Sequence, residues 1–286
     1  MLSGKTQVYG LLGDPVSHSL SPCMQNRAFH EHNIDAVYVA FQVAPKDLTQ
    51  ALAGLRALNI AGVNVTVPHK EAILPLLDRI DPTAGLIGAV NTVVNRNGVL
   101  EGYNTDASGF IRALNNEQQF SAKGKRALLL GAGGASRAAI VALATARIKS
   151  ITIANRRPER ARHLTAEFSS CFPGVTLQAV SYEDDQYIAA LSAADLIVNA
   201  TAAGLDGEEI NFLPLECIKG GALIYDMLYS LSETPLIKMV RSFDLLAADG
   251  LGMLAAQGED AFTLWTGVRP KTGFMRQVLE ECRSRE

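Results

Sequence analysis

The chain has 286 residues, 48% of them hydrophobic and 19% charged, which suits two sizeable cores better than one. A formal net charge of −3 gives no whole-chain electrostatic case for nucleic acid or for an anionic membrane surface. The longest apolar runs, ALLLGAGGA and AAIVALATA, are too short to span a bilayer, and the opening MLSGKTQVYGLLGDP lacks a charged-then-apolar leader. Cys23, Cys171, Cys217 and Cys282 stand far apart with no CxxC pair. The expectation is therefore reduced thiols in a soluble cytoplasmic protein, not disulfides or a zinc cluster.

Strand-like runs alternate with helical ones from the start, the pattern of an α/β protein. QVYGLLG, VYVAFQV and GVNVTV read as strands, with helices SPCMQNRAFHEHN and PKDLTQALAGLRAL between them. Ser21 followed by Pro22 fits an N-cap with proline at the first helical position. In NVTVPHK, Val63, Val65 and Val67 alternate with Asn64 and Thr66, predicting one apolar and one polar face, until Pro68 ends the ladder. Lys70 follows in the first turn of an expected helix, HKEAILPLLD, at the positive end of the dipole, where a cation is unfavourable. AVNTVVNRNGVLEGYN reads as a hairpin turning at Asn97-Gly98. A helix is expected from about Asp106 to Asn115, and the polar NNEQQFSAKGK leads to a fresh strand.

From Arg126 the rhythm tightens into βαβ units. RALLL, SITIA, TLQAV, DLIVNAT and ALIYDML are the strands; GASRAAIVALATA, PERARHLTAEF and EDDQYIAALSAA are the helices between them. That is the outline of a Rossmann-like, doubly wound sheet. After LLAADG the chain returns to helix, GMLAAQGEDAFTLW and then GFMRQVLEECRSR. The expected plan is two α/β domains with the active site in a cleft between them. Residues 1–106, completed by 250–286, form the substrate domain and residues 107–249 the nucleotide-binding domain.

ALLLGAGGASR sets Gly131, Gly133 and Gly134 directly after a buried strand and at the start of a long helix. Glycines there allow a tight turn and a close approach of backbone N–H groups to a pyrophosphate. The third fingerprint glycine is replaced by Ser136, small enough for close helix packing. Dinucleotide binding is favoured over a structural glycine turn. An NAD site places an acid about 20 residues on, at the ribose. Here SITIA ends instead in NRRPER, with Asn155, Arg156, Arg157 and Arg160. Guanidinium forks suit a phosphate, so NADP is favoured over NAD. As a merely solvated helix start, three cations would oppose the dipole.

GDPVSHSLSP carries Ser19 and Ser21 two apart, so in an extended segment both hydroxyls face one side, fit for a carboxylate; a plain capping loop is the alternative. His18 is given no proton-transfer role. Polar residues recur at strand ends: Asn64, Thr66, Lys70, then Asn91 in GAVNT and Asp106 in YNTDASG, the last also a plausible helix N-cap. Amides, hydroxyls, one lysine and one carboxylate suit a polyhydroxylated small acid and lack the donor density of a metal site.

The ordered series GxPxxHSxSP, NVTVPxK, GAVNT, NTDxxG, GAGGA, NR and GMLxxQ resembles the shikimate dehydrogenases over essentially the whole chain. That resemblance implies NADP-dependent, reversible reduction of 3-dehydroshikimate to shikimate in aromatic amino acid biosynthesis, by a monomer or homodimer. It assigns Lys70 as the catalytic lysine, paired with Asp106. It also implies Ser19 and Ser21 at the substrate carboxylate with Tyr229 assisting, and Thr66, Asn91, Asp106 and Gln257 on the ring hydroxyls. Gly131, Ala132, Gly133, Gly134 and Ala135, with Asn155, Arg156, Arg157 and Arg160, would hold NADP. Met227 and Gly250 would lie beside the nicotinamide, and Asn199 and Thr201 would line the cofactor site. Departures from the family pattern are Gln25 for His, Arg157 for Thr, Leu205 for Met, Gly258 for Ala, and a missing proline after Tyr229. A quinate/shikimate dehydrogenase using NAD or NADP is the near alternative. A non-catalytic NADP-binding module is the distant one.

Overall fold

The structure, a computed structural model, describes residues 2–204, 208 and 210–284. Met1–Gly109 with Leu254–Glu286 form one compact unit, and Phe110–Met253 form a second. In chain order the elements are β1 (Gln7–Gly13), α1 (Ser21–Glu31), β2 (Ala36–Gln42), α2 (Leu48–Ala57), β3 (Gly62–Val65), α3 (His69–Ala72), β4 (Arg79–Ile80), α4 (Pro82–Ile87), β5 (Thr92–Arg96), β6 (Val99–Tyr103) and α5 (Asp106–Asn116). They continue with β7 (Arg126–Leu130), α6 (Gly134–Thr145), β8 (Ser150–Ala154), α7 (Pro158–Cys171), β9 (Thr176–Val180), α8 (Asp185–Ala193), β10 (Leu196–Asn199), β11 (Leu223–Asp226), α9 (Pro235–Arg241), β12 (Leu246–Ala248), α10 (Leu251–Thr266) and α11 (Phe274–Arg283). No described helix is long and apolar enough to cross a membrane.

The first unit holds a mixed sheet in the order β2-β1-β3-β5-β6-β4. β1 runs parallel to β2 and β3, while β5 pairs antiparallel with both β3 and β6. The β5–β6 hairpin turns through Asn97 and Gly98, both at positive φ (54° and 89°), as the Asn-Gly dipeptide favours. Because β5 is reversed, the segments after β1, β3 and β6 and the one before β5 emerge at a single end of the sheet. The second unit's sheet, β12-β11-β10-β7-β8-β9, is parallel throughout. Its chain leaves β7 toward β8 and β9, then crosses back to β10, so the strand order reverses between β7 and β10. A doubly wound sheet receives its ligand at that point.

Several local expectations needed correction. The expected helix HKEAILPLLD is a single turn, α3, followed by a 3₁₀ turn at Leu74–Leu76. Pro75 supplies no N–H and its ring clashes with the preceding turn, so the helix cannot continue. Both faces of β3 are buried: Val63 and Val65 join an apolar cluster with Leu52 and Leu55, and Asn64 is 5% exposed, while Val67, beyond the strand end, is 60% exposed. Asn64 tolerates burial by accepting from Tyr38 Oη (2.8 Å) and donating to Asn91 O and Thr92 Oγ1 (both 3.1 Å). Ser21 is not the N-cap of α1. Leu20 holds that place in a helical conformation, with no side-chain cap, so the loop is not extended there.

The largest correction concerns the thiols. α1 turns Met24, Ala28 and Phe29 inward, and α11 turns Met275, Val278 and Leu279, all 5% exposed or less. Each large side chain among them contributes roughly 1.5–3 kcal/mol by burial. The two helices pack together, and Cys23 and Cys282 are joined in a disulfide across 259 residues, with Cα atoms 6.8 Å apart. Cys171 and Cys217 are free. Separation along the chain says nothing about distance once terminal helices pack. Cys23→Ser is expected to lower stability by about 2–4 kcal/mol in oxidising buffer, the usual worth of a disulfide. Denaturant unfolding with and without reductant reads this, and the difference should vanish when the wild type is reduced.

Candidate active site

At the shared end of the first sheet, Lys70 Nζ donates to Asp106 Oδ2 at 2.6 Å, with side-chain exposures of 17% and 5%. The lysine backbone is held on both sides. Val90 N donates to Lys70 O at 2.8 Å, and the buried His69 ring bonds Val43 O through Nε2 at 2.6 Å. Asp106 opens α5 but does not cap it. Asn104 Oδ1 accepts from the N–H groups of Asp106 (3.0 Å) and Ala107 (3.3 Å), which leaves the Asp106 carboxylate for other partners. Asp106 Oδ1 accepts from Asn91 Nδ2 at 2.9 Å.

Asn91 joins this pair to two further groups. Its Nδ2 also reaches Thr105 Oγ1 at 2.9 Å and Gln257 Oε1 at 3.3 Å, so two hydrogens serve three acceptors. Its Oδ1 accepts from Thr105 N at 2.7 Å. Gln257 Nε2 donates to Leu254 O at 3.0 Å, which aims Oε1 at the cluster. Lys70, Asn91, Asp106 and Gln257 thus converge, and Thr105, unread from sequence, completes the set. Ser19, Ser21 and Thr66 lie at the same sheet end, after β1 and β3, with no hydrogen bond to that cluster among the described residues. Ser21 N donates to Ser19 Oγ at 3.2 Å. A half-buried ammonium beside a carboxylate can pass and retrieve a proton, and the amides around it can hold hydroxyls.

In the second unit, Gly131 leaves β7 at φ 109°, in the left-handed region that only glycine enters freely. A Cβ there would lie 2.9 Å from Ala200 O and 3.0 Å from Thr201 Cγ2, so the turn packs against the end of β10. Gly133 is the N-cap of α6, and open space surrounds the place of its Cβ. First-turn N–H groups of a helix lack intrahelical acceptors and face outward, as a pyrophosphate requires. After β8, Arg157 is the N-cap of α7; Arg156, Arg157 and Arg160 are exposed, and none makes an ion pair among the described residues. Asn155 Nδ2 donates to Arg157 O at 3.0 Å. Thr201, Met227, Tyr229 and Gly250 all follow the carboxyl ends of β10, β11 and β12. The donor set fits a phosphorylated dinucleotide.

Three stretches match known family descriptions: "Shikimate dehydrogenase substrate binding domain" over residues 11–93, "Shikimate / quinate 5-dehydrogenase" over 114–206, and "Shikimate 5'-dehydrogenase C-terminal domain" over 250–280. Shikimate dehydrogenase (NADP(+)) of Geobacter metallireducens is 45% identical over 276 residues, covering 96% of each chain. The chain belongs to the shikimate dehydrogenase family. The Aquifex aeolicus family structure superposes at a TM-score of 0.87 with 38% identity, covering 100% of both chains. The Thermus thermophilus enzyme in complex with NADP(H) and shikimate follows at 0.84 and 37%, covering 96% of this chain and 99% of that one.

Two departures from the family pattern touch each other. Gln25, fully buried, donates through Nε2 to Gly258 O at 3.1 Å. A Cβ at Gly258 would lie 2.3 Å from Met24 Cε, so the missing methyl is the space that Met24 fills. Leu205 lies outside the described residues. Ser136, at the third fingerprint position, is fully buried with its hydroxyl oxygen unbonded among the described residues. An unmet buried polar group costs roughly 1–3 kcal/mol, so Ser136→Ala is expected to gain about 1 kcal/mol in denaturant unfolding. Lost stability would show that the hydroxyl has a partner.

Proposed function

We propose that Lys70 is the proton-transfer group of an NADP-dependent shikimate dehydrogenase and that Asp106 orients it. The reaction is the reversible reduction of 3-dehydroshikimate to shikimate, a step of aromatic amino acid biosynthesis. The observation that carries the mechanism is the 2.6 Å Lys70–Asp106 contact at the sheet end where Asn91 and Gln257 also converge. When bound, NADPH supplies the hydride that the ring carbonyl carbon accepts.

In reduction, the Lys70 ammonium donates to the carbonyl oxygen as negative charge develops on it. In oxidation, the amine takes the hydroxyl proton. Asp106 keeps Nζ aimed at that oxygen and, with Thr66, Asn91 and Gln257, accepts from or donates to the ring hydroxyls. Ser19 and Ser21, with Tyr229 assisting, take the substrate carboxylate through neutral donors. Gly131–Ala135 receive the pyrophosphate at the start of α6. Asn155, Arg156, Arg157 and Arg160 receive the 2′-phosphate, and Thr201, Met227 and Gly250 receive the nicotinamide side. A cytoplasmic setting and a monomer or homodimer complete this reading.

Lys70→Ala is expected to lower kcat by about 10²–10⁴-fold, the span of a lost general acid, with NADPH affinity within about twofold of wild type. Unchanged turnover in that variant would remove Lys70 from the mechanism. Replacing Arg156 and Arg160 by Gln is expected to weaken NADPH binding by about tenfold or more, since hydrogen bonds to charged groups contribute about 1.5–3 kcal/mol each. NADH binding should stay nearly constant, and equal losses for both would refute the 2′-phosphate site. An absorbance assay crossing shikimate and quinate with NADP and NAD separates this reading from quinate oxidation and from a non-catalytic module.

A further inference from the structure

Asp226 takes no part in the reaction above, yet its carboxylate is fully buried at the carboxyl end of β11. Its Oδ1 accepts from Asn199 Nδ2 at 2.9 Å and from Leu228 N at 3.1 Å, and its Oδ2 accepts from Thr234 Oγ1 at 2.7 Å. Each partner organises a separate segment. Asn199 Oδ1 accepts from Thr201 N (3.1 Å) and Thr201 Oγ1 (2.6 Å), which shapes the turn after β10. Leu228 O accepts from Gly250 N at 2.9 Å, and Met227 N donates to Asn199 O at 2.9 Å. A Cβ on Gly250 would lie 2.3 Å from Met227 O, so those two backbones are in direct contact. Thr234, 2% exposed, caps α9 by accepting from Ile237 N at 3.3 Å.

We propose that Asp226 is a positioning residue for hydride transfer, its ionised carboxylate holding the Asn199–Ala203 turn and the Met227–Gly250 contact in the form that receives the nicotinamide. The proposal rests on assigning Thr201, Met227 and Gly250 to the nicotinamide side. The carboxylate has three donors and no cation: among the described residues no Lys, Arg or His pairs with it. The charged group whose field reaches it is Asp249, which adds to the effect of burial; Asn199, Leu228 and Thr234 are neutral. Burial first, then Asp249, raise its pKa from 3.8 to about 6. Protonated, Asp226 keeps one good acceptor oxygen for three donors, and the segments it gathers lose a tie.

Stability and function therefore pull oppositely. At Asp226 the folded state binds more protons than the unfolded chain between pH 3.8 and about 6, so this group's contribution to stability falls as pH rises through that window. A buried acid that the fold would rather keep neutral, at the edge of a ligand site, is the signature of a group retained for its charge.

The test measures kcat, KM and NADPH affinity from about pH 5 to 8.5 for wild type, Asp226→Asn and Thr234→Val, with melting temperatures alongside. Wild-type kcat should climb through a limb near pH 6. Asp226→Asn should be slower by about tenfold at pH 8, an amount equal to about 1.4 kcal/mol, and should lack the limb. It should melt no lower than wild type there. Thr234→Val removes a donor to the charged form, so its limb should move to higher pH; this variant decides the matter alone if the first does not fold. Adenosine 2′,5′-bisphosphate, which has no nicotinamide, should bind wild type and Asp226→Asn within about twofold of each other, because its hydrogen bonds to the arginines are untouched. A limb that persists in Asp226→Asn or stays fixed in Thr234→Val overturns the proposal. Wild type that binds neither NADPH nor the bisphosphate overturns the cofactor assignment and this proposal with it.

Discussion

The buried Asn91 ties together three strands and a late helix of the first unit. Its amide nitrogen bridges Asp106, Thr105 and Gln257, while its backbone accepts from Val65 N at 2.8 Å and donates to Tyr103 O at 3.1 Å. Strands β3, β5 and β6 are thereby set in register with a helix that arrives 166 residues later in the chain. The Lys70–Asp106 contact depends on this arrangement, because only one oxygen of Asp106 faces the lysine while the other is occupied by Asn91. A free carboxylate would swing between partners. One held at both oxygens offers the ammonium a single direction, which is the preorganisation that the proposed proton transfer would need.

The second unit solves a different problem. After β7 and β8 it carries donors and cations left without ion-pair partners among the described residues: the start of α6, and the arginines before and within α7. Such a surface is costly in isolation and is relieved by an anion. At the carboxyl end of β11 stands Asp226, whose charged form burial disfavours. The unit therefore keeps unmet positive groups where the proposed cofactor phosphates would sit and a buried negative one where loops are gathered. Both sacrifice stability locally for a defined shape.

How much of this was legible depended on whether the signal was local. Asn97-Gly98 announces its hairpin because two successive positive φ angles need that chemistry. The βαβ rhythm from Arg126 was readable because buried parallel strands are short apolar runs with glycine after the first. The one-turn α3 was readable in principle from Pro75, which the apolar spacing of HKEAILPLLD masked. Asp106 looked like a cap, but the cap is Asn104, two residues earlier, and only coordinates separate two polar side chains so close together. Asn64 read only as part of a polar face, because alternation does not tell whether that face is covered by other elements. Thr105 and Asp226 carry no motif of their own; their roles come from neighbours brought by the fold. β12 and α9 are too short for periodicity to show. The Cys23–Cys282 bond lay furthest from any local signal, since it depends on the first and last helices meeting.

That bond has a topological effect. With residues 23 and 282 linked, every peptide bond between them belongs to one covalent ring, the whole of Phe110–Met253 included. A break in the backbone anywhere along that stretch would leave a single molecule whose two pieces remain tethered through sulphur, parting only when electrons are supplied.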